Sequence, residues 1–185
     1  DRHLAPGRGD GRPVSTWDRA RRDRRERLGR ARAAGLERWV EPDRLTALLE
    51  AVLVPGDRLC LEGDNQKQAD LLARALARVD PERVRDLHLV LSVLALPEHV
   101  DVFERGIARR VDFSFSGPQA VRLAQLAGAG KIESGALHTY LELYARYFVD
   151  LTPRVALLAA LAADAEGNLY TGPNTEETPA IAEAT

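Results

Sequence analysis

Residues 58–96 read RLCLEGDNQKQADLLARALARVDPERVRDLHLVLSVLAL, and their order of patterns decides the fold. Arg58 to Glu62 is short and apolar at its centre, as a buried strand is. A polar turn follows, carrying Glu62, Gly63, Asp64, Asn65, Gln66, Lys67 and Gln68. From Ala69 to Val79 the apolar residues Ala69, Leu72, Leu76 and Val79 fall on one helical face. DPER (80–83) breaks that helix. LHLVLSVLAL (87–96) then runs apolar without polar alternation, which predicts a strand covered on both faces. About 30 residues separate the two strands, the span of a strand–helix–strand crossover between parallel neighbours.

Working outward, the same alternation continues. Leu45, Leu48, Leu49 and Val52 predict a short helix over Pro42–Val52, and PGD (55–57) a turn. Pro97 suits the first turn of a helix whose Phe103 and Ile107 face inward. VDFSF (111–115) alternates as a third strand. SGPQ leads into a helix with Val121, Leu123, Leu126 and Ala127, ended by GAG (128–130). Residues 131–144 fit either strand or helix, and 154–163 are again apolar. Strands separated by helices predict an α/β fold: an open, mostly parallel sheet with helices on both faces.

Composition narrows the partners. Forty-five per cent apolar residues in 185 is enough for a core. No apolar run approaches the roughly 18 residues of a membrane helix, so no membrane association is expected. Cys60 is the sole cysteine, which rules out an internal disulfide and favours a cytoplasmic setting. Residues 1–40 hold 12 Arg against 6 acids, a net of +6, which leaves −8 for the remainder of a chain of −2. The N-terminal 1–38 is therefore set apart as an Arg-rich tail and helix, with a helix over Trp17–Ala34 and an α/β domain over 39–185. Asp18 with Arg22 and Glu26 with Arg30 have the spacing of helical ion pairs. Acids interleave with the arginines and Trp17 is the one aromatic close by. A solvated or subunit-facing helix is thus expected, with no nucleic acid bound. The absence of any methionine and the ending IAEAT are read as marks of a fragment.

Parallel sheets collect ligands beyond the carboxyl ends of their strands. GDNQKQ occupies such a place but is neither GxGxxG nor GxxxxGK[ST], so it predicts no phosphate cradle. Two readings stand side by side: Asp64 or Asn65 as a helix cap, or a site wall of amides suited to carbonyl and carboxylate groups. SFSGPQ (114–119) repeats the arrangement after another strand, with Ser114, Ser116 and Gln119 near its end; taken alone it reads as a Gly-Pro turn with a capping serine, and two such polar turns would converge on one edge. ADAEGNLYTGPNTEETP (163–179) adds a tight turn, with Gly167 and Asn168 suited to positive φ, then a polar loop with Asn174, Glu176 and Glu177. Adjacent acids in a Pro-rich loop are expected to face water. His138, Tyr140 and Glu142 read as structural pairing, Cys60 as a core residue, and no zinc spacing or GxSxG is present.

The stretches CLEGDNQKQAD (60–70), LPEHVDVFERG (96–106), DFSFSGPQA (112–120), HTYLELYARYFVDLTPRVAL (138–157) and AEGNLYTGPNTEETPAIAEAT (165–185) resemble the alpha subunit of bacterial malonate decarboxylase. The turn ADAEGN is also similar to the AD-x-x-GN turn of CoA-transferases, the wider fold family. The resemblance implies a CoA-transferase-like domain, the first of two in the family. It implies a transferase that exchanges acetate for malonate on the thioester of an acyl carrier protein. The thiol belongs to a phosphoribosyl-dephospho-CoA group on that carrier, so no cofactor is expected to bind the chain directly. Other decarboxylase subunits, malonate and acetate are the implied partners. A non-catalytic carrier- or subunit-binding domain is the alternative. No catalytic nucleophile carries over, and 185 residues alone are expected to be inactive. GDNQ stands where ordinary CoA-transferases have a glycine-rich loop. The expected ligand-facing set is Gly63, Asp64, Asn65, Gln66, Ser116, Gly117, Gln119 and Asn174, with no metal.

Overall fold

A computed structural model describes residues 15–63, 69–173 and 175–185. Five strands form one parallel sheet: β1 (Arg58–Leu61), β2 (Leu87–Val93), β3 (Ala108–Phe115), β4 (Glu133–Leu137) and β5 (Val155–Leu157). Their order is β4-β3-β2-β1-β5. The first four advance one way across the sheet, and β5 then returns to the far side of β1. The reversal between β1 and β5 is a topological switch point, where an open α/β sheet opens a crevice at its carboxyl edge.

Helices cover both faces, as the alternation of helical and strand patterns predicts. Leu59, Leu61, Leu87, Leu89, Leu91, Val111 and Phe113 point to one core, with α2 (Leu45–Val52), α3 (Asp70–Leu76), α4 (Glu98–Glu104) and α5 (Ala120–Gly128). Cys60 and Val90 point the other way, against Leu143, Tyr147 and Leu151 of α6 (Tyr140–Val149) and its exit and Ile181 of α7 (Thr178–Ala184). β2 is buried along its length apart from half-buried His88, as a strand covered on both faces requires.

Three details depart from the periodicity. The helix expected over 69–79 ends at Leu76, and a turn carries buried Val79. Val121 is 71% exposed and Ala127 is also outside, because Leu123 and Leu126 set the inward face of α5. Two residues before Leu123 is about 200° around the helix, so Val121 points away. Residues 131–144 are strand and helix in turn: β4 ends at Leu137, and Thr139 caps α6 by accepting the Glu142 N–H at 3.2 Å.

A two-stranded hairpin, β6 (Ala162–Ala163) and β7 (Leu169–Tyr170), projects beyond β5. Asp164 closes it by accepting the N–H groups of Gly167 (2.9 Å) and Asn168 (2.8 Å) and the Tyr170 hydroxyl (3.0 Å). Hydrogen bonds from Asn168 above all hold the Asp164 carboxyl down to about 2. Gly167 takes φ 98°, but Asn168 does not adopt the left-handed region expected of it.

The Arg-rich helix α1 (Thr16–Ala33) starts from Ser15, whose Oγ accepts the Asp18 N–H. Asp18 accepts the Ser15 hydroxyl and Arg30 reaches the carbonyls of Ala51 and Val52, so these charges serve other ends than the expected pairs. Arg27 joins the helix to the sheet. Its guanidinium meets the Asp57 carboxylate in two parallel bonds, at 2.5 and 2.8 Å, just before β1. It also donates to Asp23 and to the Val52 carbonyl, both at 2.8 Å. Arg27 and Asp57 are 7% and 6% exposed, so the pair is desolvated and its remaining valences are filled. Asp57→Ala, which leaves the guanidinium buried and unpaired, is expected to cost about 3–5 kcal/mol in urea unfolding. Arg27→Met combined with Asp57→Leu should cost clearly less, and an equal loss would show that packing, not the charge pair, holds α1.

Candidate functional site at the carboxyl edge

The register aligns Cys60 with Val90 and Val90 with Asp112. Two residues further on, Glu62, Ser92 and Ser114 therefore form a polar row on the α6–α7 face, at the carboxyl ends of β1, β2 and β3. Apolar residues would fill this layer of an ordinary core. Here Glu62 and Ser92 are fully buried, and Glu177 comes down on them from the start of α7. Glu177 Oε2 accepts the Ser92 hydroxyl, and the Tyr147 hydroxyl at 3.4 Å. Glu62 accepts the Ala159 N–H at 2.6 Å through Oε2 and the Thr178 hydroxyl through Oε1. Burial, with the negative charge of Glu177 behind it, pushes the Cys60 thiol well up, so Cys60 is a core residue and no nucleophile. Burial likewise pushes the Tyr147 hydroxyl up.

Gly63, Gly117 and Gln119 meet around the exit of β2. Gly63 O accepts the Val93 N–H at 2.8 Å. A Cβ on Gly63 would stand 3.1 Å from the Val93 carbonyl and 3.2 Å from His99 Cε1, which leaves no comfortable room for a side chain. A Cβ on Gly117, at φ 49°, would stand 3.7 Å from the Leu94 carbonyl and from the Val93 side chain. The Gln119 amide donates to the Ala95 carbonyl at 3.3 Å, and Ser116 O accepts the Gln119 N–H at 3.1 Å. The two turns singled out by sequence thus flank one segment, Val93–Ala95. Asp64, Asn65, Gln66 and Asn174 lie outside the described residues. The cap position of α3 is Ala69, whose side chain makes no cap bond.

Sequence reasoning missed the inward turn of Glu177. Of the adjacent acids Glu176 is exposed, while Glu177 is buried on the sheet. The available signal was the row itself, since Glu62 and Ser92 occupy inward positions that only hydrogen-bonding partners make tolerable.

Deeper in the sheet, Asp112 lies between two histidines. His138 Nε2 is 2.9 Å from its Oδ1, and His88 Nε2 is 2.6 Å from its Oδ2. A Cβ on Gly135 would overlap this carboxylate, so the edge strand approaches it only as glycine. Burial pushes Asp112 up, but the bonds from His138 and His88 outweigh it and hold the carboxyl below its usual range. His138 Nδ1 lies 3.3 Å from Glu142 without a hydrogen bond to it, so the structural pairing of His138 is with Asp112 through Nε2.

A cavity of about 650 Å³ lies elsewhere, lined by Trp17, Arg21, Arg24, Phe148, Arg154 and Thr185. It sits beside α1 and the start of β5, at the amino edge, whereas parallel sheets present ligand sites at the carboxyl edge.

The family profile described as "Malonate decarboxylase, alpha subunit, transporter" matches residues 16–185. Over 170 residues the chain is 53% identical to the acetyl-S-ACP:malonate ACP transferase of Malonomonas rubra, an alignment covering 91% of this chain and 31% of that one. A Pseudomonas malonate decarboxylase hetero-tetramer, solved in complex with malonate, contains a chain 54% identical. It superposes with a TM-score of 0.88 over 94% of this chain and 32% of its own. The malonate decarboxylase alpha subunit of Acinetobacter baumannii is 44% identical, with a TM-score of 0.84 over 91% of this chain and 31% of its own. The chain thus spans about a third of the length of these relatives.

His99, the fully buried residue against Gly63, yields a measurable pH effect. Its Nδ1 accepts the Leu96 N–H at 3.4 Å, and its Nε2 has no partner among the described residues. Burial lowers it from 6.5 to about 4, against a smaller upward pull from the Val93 carbonyl. Because the folded value lies below the unfolded one, stability is full above pH 6.5 and declines until about pH 4. The His99 share of that loss is about 3 kcal/mol. His99→Gln should flatten urea-unfolding free energies across this window relative to wild type. An unchanged slope would place the acid sensitivity elsewhere.

Proposed function

The chain belongs to the malonate decarboxylase alpha-subunit family, and from that premise we propose that it forms part of a carrier-protein transferase. In the exchange, malonate replaces acetate on the carrier thioester: acetyl-S-carrier and malonate give malonyl-S-carrier and free acetate. The acetyl C–S bond and one carboxyl C–O bond of malonate are broken, the malonyl C–S bond and a new C–O bond on the departing acetate are formed, and no net oxidation occurs. The observation that carries the reading is the 53% identity to a protein named for this transfer, sustained over 170 residues. The carboxyl edge supports it. Gly63, Gly117 and Gln119 gather there around one segment, and a thioester exchange needs N–H and amide donors aimed at developing oxyanions.

The partners that follow are an acyl carrier protein, whose phosphoribosyl-dephospho-CoA arm supplies the thiol, and further decarboxylase subunits. Malonate enters as acceptor and acetate leaves. The setting proposed is cytoplasmic; among the described residues no helix is long and apolar enough to cross a membrane. The second reading, a domain that docks carrier or subunits while chemistry occurs elsewhere, rests on the absence of a transferable catalytic residue in this chain.

Labelled malonate offered to acetyl-carrier in the presence of the subunit expressed from its full reading frame should appear on the carrier. No label on the carrier would end the transferase reading. Replacing Asp64, Asn65 and Gln66 together with Ala then separates the two roles. Turnover lowered by about 10²-fold with intact subunit assembly is expected of a site wall that orients a reactant. Lost assembly with no separate loss of turnover would instead assign the turn to an interface.

A further inference from the structure

Two buried carboxylates converge on the switch point, and neither stands where a parallel sheet needs charge for folding. Glu62 and Glu177 are each fully buried, in a layer that continues the apolar set Cys60, Val90, Leu143 and Ile181. Desolvating a carboxylate is costly, and well-packed apolar residues generally serve stability as well or better. What these two groups add is connectivity. Glu62, leaving β1, holds the exit of β5 through the Ala159 N–H and the start of α7 through the Thr178 hydroxyl. Glu177, at the start of α7, holds β2 through Ser92 and α6 through Tyr147.

Between Ala159 and Glu177 the chain leaves the sheet for the exposed β6–β7 hairpin. It returns through TGPNTEE, where Glu176 takes a left-handed φ of 39° and Thr178 N–H closes a turn on Thr175 O. The two ends of this excursion are fastened by Glu62, and its return is fastened again by Glu177. Both anchors lie on the layer that carries Ser92, one residue before the Val93–Ala95 segment flanked by Gly63, Gly117 and Gln119.

We propose that Glu62 and Glu177 are positioning residues for the transferase site, stapling the polar return after β7 over the carboxyl ends of β1 and β2. The role rests on the transferase reading and adds to it the means by which the return after β7 is held at the carboxyl edge, near Gly63 and the Ser116–Gln119 turn. Each carboxylate accepts hydrogen bonds from protein groups and thereby fixes where the backbone of the return lies. Its chemistry is that of an acceptor, so an amide oxygen at the same place should substitute for it in part.

The test uses the subunit from its full reading frame, assembled with its carrier and malonate. Glu177→Ala should lower kcat for label exchange by about 10²-fold, the effect of a displacement near 1 Å, while KM for acetyl-carrier stays within about twofold. Glu177→Gln should keep at least about a fifth of wild-type kcat, because its Oε still accepts from Ser92 and Tyr147. Ser92→Ala, a milder change that removes one donor, should fall between wild type and Glu177→Ala and keeps the idea testable where Glu177→Ala does not fold. Wild-type kcat in a folded Ser92→Ala or Glu177→Ala protein overturns the proposal. Equal losses in Glu177→Gln and Glu177→Ala overturn it too, by assigning the role to the charge itself. Amide hydrogen exchange over residues 175–181 gives a readout independent of turnover, and should quicken at least tenfold in Glu177→Ala. Unchanged exchange there counts against the staple even if wild type shows no transferase activity, whereas an inactive wild type with quickened exchange in the variant counts only against the transferase reading.

Discussion

β1 is four residues long, and the arrangement of the molecule depends on its being paired on both sides. Leu59 and Cys60 are in register with Leu89 and Val90 of β2, and also with Val155 and Ala156 of β5. A strand so enclosed has no free edge, and its two faces point into two separate cores. Any side chain it carries must be apolar or fully hydrogen-bonded. Arg58, at its start, bonds to His88 and to the Asp150 and Thr152 carbonyls, and Glu62, where β1 runs out, is buried and takes the second course too. Because β5 reverses the direction of strand addition, the chain leaving β1 and the chain leaving β5 diverge, and Glu62 spans the gap between them.

The central crossover was legible because its signals are local. Strand length, helical spacing and the distance between apolar runs each depend on residues within one segment, and all three agreed over 58–96. The helix ends were less so: Asp70–Leu76 stops short of Val79 because a turn, not a further helical turn, buries that valine. The 131–144 ambiguity came from a real junction, since an edge strand and an amphipathic helix share its apolar residues. Val121 was misplaced because the inward face of α5 is chosen by its packing, which no period within nine residues could reveal.

For the candidate site, position was legible and connection was not. The turns after β1 and β3 were expected to share an edge, and Gly63, Gly117 and Gln119 do meet there. Glu177 was expected in water because its neighbours are polar and proline-rich. Its burial is a consequence of contacts with Ser92 and Tyr147, 85 and 30 residues away in sequence. Such contacts leave no periodic trace. They can be suspected only from the partner side, where a glutamate and a serine stand at inward positions of buried strands.

The two ends of the sheet meet the burial of charge in different ways. At the amino end, Asp57 is met by the guanidinium of Arg27, and the pair neutralises itself within the same layer. The excess of arginine in the first forty residues thereby has a structural use, since Arg27 and Arg30 fasten α1 to the body and Arg24 reaches the Thr185 carbonyl. At the carboxyl end, Glu62 and Glu177 are held through hydroxyls and a backbone N–H. A hydroxyl donor fixes direction, and its hold depends on the geometry of a single bond. An ion pair tolerates small shifts because Coulomb attraction varies gently with distance, whereas a hydrogen bond weakens steeply as it bends. The amino end is therefore built to hold, and the hydroxyl bonds of the carboxyl end to hold in one place.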